Sequence, residues 1–286
     1  MTPSSATERF LRDFHDRLPG GSTLAFAGVP VVNGHGMAHA DTYHALVQRL
    51  QDGCTPAGPV LDLACGDGHL LGLLRAAGRS VCGVDASTGE LAAARARLGD
   101  AVPLQQARAQ ALPLAPGSLA AVTCHMALML MDTPATVLAE LQRVLQPGGR
   151  LLAVVPHPRA PEPPDPVTGA FWAALDAHPQ RRSDWQDVRF GTPDWRSTTA
   201  LSALLAPAFG AARLGRLTGV QRFTPARAWQ WFTGLYDLHL RPDAAWGPAE
   251  ALFHTTLAPH VGADGQVSLP HAYLLIDATR PQSLSP

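Results

Sequence analysis

The rhythm of apolar and polar positions changes along the chain, and each change predicts an element. Near the start, Phe10, Leu11, Phe14 and Leu18 recur at helical spacing. Ser5 followed by Glu8 is the capping box that opens such a helix, and Gly20-Gly21 ends it. A Gly- and Val-rich loop runs over residues 28–36, and Asp41 caps a second helix over residues 43–50. From residue 60, short apolar runs alternate with amphipathic stretches. Strands are predicted over 60–64, 80–84, 103–107, 119–124 and 150–155, and helices over 70–77, 89–98 and 134–145. This alternation predicts βαβ units, a parallel sheet with right-handed crossovers, and ligands at the carboxyl ends of the strands.

Beyond Pro156 the regularity breaks. Five prolines between residues 158 and 166 predict a rigid, extended connection. Residues 170–200, with Phe171, Trp172, Trp185 and Trp195 among turn formers, read as an insertion. A helix over 199–206, a strand over 213–223 and a helical stretch over 225–260 follow. Asp264-Gly265 then turns the chain into a last strand over 273–278. There is no internal sequence repeat.

The informative segment is Val60-Leu61-Asp62-Leu63-Ala64-Cys65-Gly66-Asp67-Gly68. An acid near the end of a buried strand is followed at once by a Gly-x-Gly turn and a helix, where glycine lets the backbone approach a ligand. The second strand ends Gly83-Val84-Asp85, so a second carboxylate stands 17 residues beyond Gly68, placed to accept hydrogen bonds from two ribose hydroxyls. Together they define an adenosine site. A dinucleotide fingerprint would read G-x-G-x-x-G before a helix end facing a pyrophosphate. Here the third glycine, Gly72, comes one place late. Asp62 and Asp67 bracket the turn, where they would repel a pyrophosphate but favour a sulfonium and an ammonium.

These residues resemble the class I S-adenosylmethionine-dependent methyltransferases of the small-molecule, type 11 branch. The likeness spans roughly residues 59–156. Residues 60–68 resemble the family's first motif and Val84-Asp85-Ala86-Ser87 its second. Ala111-Leu112-Pro113-Leu114-Ala115-Pro116-Gly117-Ser118 resembles the stretch entering the fourth strand. Glu140-Leu141-Gln142-Arg143-Val144-Leu145-Gln146-Pro147-Gly148-Gly149-Arg150 resembles the helix, turn and fifth strand.

The resemblance implies an α/β, Rossmann-like, seven-stranded and mostly parallel sheet with one antiparallel strand, supplied by residues 273–278. It implies S-adenosyl-L-methionine as cofactor, with Asp85 on the ribose, Ala86 near the adenine, and Asp62, Ala64, Gly66 and Gly68 around the methionine part. The family often carries an acid where Arg108 and Ala120 stand. Adenine recognition is therefore expected from the backbone of Ala109 and Gln110. The chain divides into an N-terminal helical arm or lid (1–50), a cofactor-binding core (51–157), an insertion and helical cap that lends one helix and one strand to the core (158–262), and a final strand and tail (263–286).

Composition narrows the partners. Hydrophobic residues are 46% and charged residues 16% of 286, enough for a core and against a disordered chain. Basic and acidic residues number 22 and 23, so no basic field exists to hold a nucleic acid, and a small-molecule substrate is expected. Lysine is absent, and Asn33 and Ile276 are single occurrences, the mark of a GC-rich and therefore bacterial coding sequence. Cys54, Cys65, Cys82 and Cys124 form no Cys-x-x-Cys pair, which suits a reduced, cytoplasmic protein. Charges at Glu8, Arg9, Arg12 and Asp13 argue against a signal peptide, and the apolar run over 119–131 is too short to span a bilayer.

Several residues admit two readings. His35, His39 and His44 are closely spaced, but flanking glycines make them loop or surface residues, and no metal site is expected. His125 and His157 follow the fourth and fifth strands, where substrate must meet the methyl group. They are either structural or the bases that deprotonate substrate, with His125 the first candidate and also a cofactor neighbour. Tyr43 either packs its helix or reaches the cofactor from the arm. Trp229, Phe232 and Tyr236 share a helical face, as cap core or as a lid over an apolar substrate. Arg213, Arg216, Arg222 and Arg227 form the one basic cluster and read as a solvated face. Two alternatives stay open: an RNA methyltransferase, against which the near-neutral charge stands, and a protein that binds the cofactor without catalysis.

Overall fold

The computed structural model describes residues 4–157, 165–195 and 197–282; the connection predicted from the prolines after 157 lies largely outside them. Helices α1 (Ala6–Arg17) and α2 (Gly21–Phe26) open the chain, and Ser5 caps α1 by accepting from the Glu8 amide at 3.0 Å. Strands β1 (Val31–Asn33) and β2 (Ala38–His39) lead to α3 (Thr42–Gln51), capped by Asp41. The alternating core comprises β3 (Val60–Leu63), α4 (His69–Ala76), β4 (Val81–Asp85), α5 (Thr88–Leu98), β5 (Leu104–Gln106), β6 (Leu119–His125), α6 (Pro134–Val144) and β7 (Leu145–Pro156). Then come α7 (Pro166–Asp176), α8 (Thr198–Phe209), β8 (Arg213–Phe223), α9 (Pro225–Thr233), α10 (Tyr236–His239), α11 (Trp246–Leu257) and β9 (Val267–Thr279).

The strands form one sheet in the order β2-β1-β8-β9-β7-β6-β3-β4-β5. From β7 to β5 every pairing is parallel. β9 runs antiparallel between β7 and β8, so β8 again points the same way as β7. The sheet thus has nine strands among the described residues, not seven. The difference is the β1–β2 ribbon, in the segment read as a loop. Strands of three and two residues carry too little alternation to be read from pattern, and β1 finds its partner far along the chain, at Leu217 and Thr218. Gly219 permits that approach, since a Cβ there would lie 2.5 Å from the Pro30 carbonyl.

Both faces of the central strands are covered, which explains their unbroken apolar runs; all seven residues of β6 are buried. On one face α6 and α8 pack with Leu138, Leu141, Leu201 and Leu205, and on the other α3 and α4 pack with Leu46, Leu50, Leu71 and Leu74. α3 is therefore core rather than lid. A third cluster joins Phe171, Trp229, Phe232 and Phe253 of α7, α9 and α11 to Val267 and Leu269 of β9. The segment read as irregular thus begins with a helix. Its N-cap, Asp165, accepts from the Val167 and Thr168 amides, with Pro166 at the first helical position. The proline run hid that start. No described helix is long and apolar enough to cross a membrane, and no group of three His, Cys, Asp or Glu among the described residues could hold a metal ion.

Candidate functional site

At the carboxyl ends of β3, β4 and β6 the sheet opens into a cavity with about 1130 Å³ of space free of protein atoms, its mouth included. Tyr43, Asp62, Ala64, Gly66, Asp85, Ala86, Ala109, Gln110 and His125 all border it; Gly68 and His157 do not. β7 continues to Pro156 in register with Tyr273, and the His157 amide donates to the Ala272 carbonyl at 2.9 Å, so the backbone at His157 joins β9 instead of turning over the cavity. Gly68 is needed for packing. Its φ is +79°, and a Cβ there would meet the Leu98 side chain at 2.8 Å and Ala94 at 3.2 Å, so it sets the closeness of α4 to α5.

The floor is acidic. Asp62 is buried and accepts from the Thr123 hydroxyl at 2.8 Å. Burial pushes its pKa up to about 7, against that hydrogen bond, and the Asp85 charge adds to the rise. Asp85 accepts from the Ser87 amide at 2.8 Å and the Gly66 amide at 2.9 Å; burial raises its pKa despite both bonds. Between these acids the chain turns through Ala64 (φ +56°) and Gly66 (φ +52°), which bends the backbone into the cavity wall. Asp67 differs from its sequence reading. It pairs with Arg97 and accepts from Thr23 at 2.7 Å, so its charge is already met.

The far wall is aromatic. The His125 ring stacks on Tyr43, with ring centres 3.7 Å apart, and His69 meets the same phenol edge-on at 4.7 Å. His125 Nε2 lies 2.7 Å from the Thr42 hydroxyl, while its Nδ1 and His69 Nε2 are buried without a hydrogen-bond partner. Burial drives the pKa of His125 down to about 3 and lowers that of His69. The ring is neutral at pH 7, as expected of a base, but too weakly basic to suit that task. Met126, Ala127, Leu130 and Met131 continue this wall with apolar surface.

The N-terminal arm supplies the opposite side through Glu8, Leu11, His15, Gly20 and Thr23. Glu8 pairs with Arg108 at 2.6 Å, so an acid does stand beside Arg108, contributed from α1. His15, His69 and Glu90 were not singled out in the sequence. His69 is hidden within a glycine turn, and Glu90 looks like an ordinary capping-box acid. Of the described cap residues, only Tyr236 reaches the cavity, while Trp229 and Phe232 are cap core. Among the other two-way residues, His44 pairs with its own cap Asp41, and Arg222 pairs with Asp264 on an exposed strand face.

Residues 61–153 match the family model described as a methyltransferase domain. The chain is 40% identical over 107 residues to a ubiquinone/menaquinone biosynthesis C-methyltransferase of Desulfotalea psychrophila, covering 36% of this chain and 44% of that one. The chain thus spans less than half the length of this curated relative. Among solved structures, it resembles a phosphoethanolamine N-methyltransferase of Haemonchus contortus (TM-score 0.56, 17% identity, 98% of this chain and 61% of that one). It also resembles an S-adenosylmethionine-dependent methyltransferase of Thermotoga maritima (TM-score 0.51, 16% identity, 94% and 99%). At these identities the structural likeness speaks for the fold alone.

Proposed function

We propose that this chain, which belongs through residues 61–153 to the class I S-adenosylmethionine-dependent methyltransferases of the type 11 branch, methylates a small-molecule nucleophile. The observation that carries this reading is the pair of carboxylates, buried Asp62 and partly buried Asp85, flanking a backbone turn with positive φ at Ala64 and Gly66. Such a floor suits a ligand that brings ribose hydroxyls and positive charge, and opposes a pyrophosphate. Asp85 would accept from the ribose hydroxyls, with Ala86, Ala109 and Gln110 beside the adenine. Asp62 and Gly66 would hold the methionine part. Bound S-adenosylmethionine supplies a sulfonium-borne methyl group for in-line displacement.

The chain's own contribution is then position and dryness. His125 is neutral and tethered through Nε2 to Thr42, so it orients rather than takes a proton. Met126, Leu130 and Met131 offer an apolar surface to the substrate. The arm and Tyr236 close the remaining side against water. An acceptor small enough to enter this cavity fits better than a nucleic acid, given 22 basic against 23 acidic residues.

Titration calorimetry tests the cofactor. S-adenosylmethionine and S-adenosylhomocysteine should both bind without added metal, and NAD should not; binding of NAD alone would refute the reading. Incubation with isotopically labelled methyl donor and a metabolite extract should yield a labelled small molecule. Label found in RNA instead would redirect the substrate assignment.

A further inference from the structure

Helix α5 buries Glu90, Leu91 and Ala94 on its inner face. The first is anomalous, because a carboxylate at 2% exposure must be paired. In a capping box the acid returns to the N-cap amide. Here half of the box forms: Ser87 Oγ accepts from the Glu90 amide at 3.1 Å. The Ser87 amide donates instead to Asp85, which leaves the Glu90 carboxylate for other partners. Both oxygens are used by the N-terminal arm. Oε1 lies 2.8 Å from His15 Nδ1, and Oε2 accepts from the Gly20 amide at 2.9 Å. His15 Nε2 in turn lies 3.0 Å from the Tyr236 hydroxyl, so one hydrogen-bonded chain links core, arm and cap.

The arm is attached unequally on its two sides. Toward the cap, Phe10 and Phe14 sit in an apolar cluster with Val188, Leu240, Trp185, Phe190 and Tyr236. Toward the core, α1 makes polar contacts: Glu8 with Arg108, Asp16 with Ser87 and the Gly89 amide, and His15 with Glu90, whereas α2 is anchored by Ala25 and Phe26 in the core cluster. Parting the arm from the cap would expose aromatic surface to water. Parting α1 from the core exchanges hydrogen bonds for water, which costs far less. Glu90 is the exception among these core contacts, being a buried core carboxylate whose hydrogen-bond partners among the described residues both come from the arm. Glu90 and Asp85 border one side of the cavity, and Leu11, His15 and Gly20 border the arm side.

We propose that Glu90 is a positioning residue that latches α1 and Gly20, residues 6–20, over the adenosyl ligand. This segment, carrying its cap contacts, parts from the core for ligand exchange while α2 stays packed, and it closes again onto Glu90. This inference rests on the cofactor reading above, and the experiment separates the two.

The rate of release of radiolabelled S-adenosylhomocysteine into excess unlabelled ligand is measured together with amide hydrogen exchange over residues 6–20. Glu90→Gln places an NH₂ against one of two donors, and should speed release about tenfold or more, the effect of one lost charge-assisted hydrogen bond. It should also deprotect the arm while β3, β4 and β6 stay protected. His15→Gln, made from the partly exposed side of the pair, should do the same and guards against misfolding of the Glu90 variant. Glu90→Asp, which keeps the charge, should recover part of the slow release. Unchanged release and unchanged arm exchange in both Glu90→Gln and His15→Gln would overturn the latch. If the wild-type protein binds no adenosyl ligand, the cofactor reading and the latch over it both fall. Arm exchange in the free protein would then report Glu90 as a structural contact only.

Discussion

The imidazole of His125 lies on the phenol ring of Tyr43, with centres 3.7 Å apart and planes 23° apart. Phe26 meets the same imidazole at 5.7 Å, so the ring is held between aromatic neighbours while Thr42 fixes its Nε2. Burial accounts for the depressed basicity, which the Asp41 charge opposes and the neighbouring His69 deepens.

Histidine chemical shifts should therefore show His125 neutral from pH 8 down to about 5. The sign for stability follows. Unfolded histidine takes up a proton near 6.5, whereas folded His125 does so near 3. Stability is thus lost as pH falls from 6.5 toward 3, and His125→Phe should lessen that loss in urea unfolding series. The same variant leaves Thr42 unpaired, at about 1–3 kcal/mol near neutrality. A His125 resonance titrating near 6.5 would contradict the burial argument.

Asp62 gives a pH dependence of ligand affinity. Its folded pKa of about 7 lies above the usual 3.8, so below pH 7 it is increasingly neutral in the free protein. A cationic ligand prefers the carboxylate. Affinity for S-adenosylmethionine should fall as pH drops through 7, and binding near pH 6 should be accompanied by proton release. Calorimetry in buffers of different ionisation enthalpy reads this directly. Asp62→Asn should abolish the proton release, and wild-type binding with no proton exchange at pH 6 would rule out Asp62 as the responding group.

Asp85 already spends lone pairs on the Gly66 and Ser87 amides. Asp85→Ala should weaken S-adenosylhomocysteine binding by about 1–3 kcal/mol through lost ribose hydrogen bonds. It also frees two amides, so the measurement needs a thermal unfolding control. An unchanged dissociation constant in a folded variant would move the ribose elsewhere in the cavity.

What the sequence made legible is local. Asp62, Gly66 and Asp85 could be read because a strand end, a tight turn and a helix start lie within a few residues, and chain direction then aims them at one cavity, whereas Ala64 came only with the family resemblance. His125 followed from the same rule applied to β6. Glu90 could not be read this way, because both its partners come from a segment 70 or more residues earlier, and its own helix offers an alternative bond. The β1–β2 ribbon failed for a similar reason, since its pairing with β8 is non-local. His157 marks the limit of the strand-end rule. The rule assumes that the chain leaves the sheet after the strand, and β7 instead stays paired with β9.

Gly68 shows how one residue type supports two different roles. Next to Gly66 it reads as a second point of backbone approach to a ligand, yet the space a side chain would need is filled by Leu98 and Ala94 of α5. Its φ of +79° adds a strain that only glycine escapes. Gly68→Ala should thus lower stability by about 2–4 kcal/mol, combining left-handed strain with overpacking against α5. Adenosyl affinity, measured on the folded fraction at low temperature, should change less than tenfold. Gly68→Ala/Leu98→Ala should recover part of the stability by removing the clashing methyl groups, minus the cost of the lost Leu98 contacts. Full stability in Gly68→Ala with a large loss of affinity would return Gly68 to the ligand site.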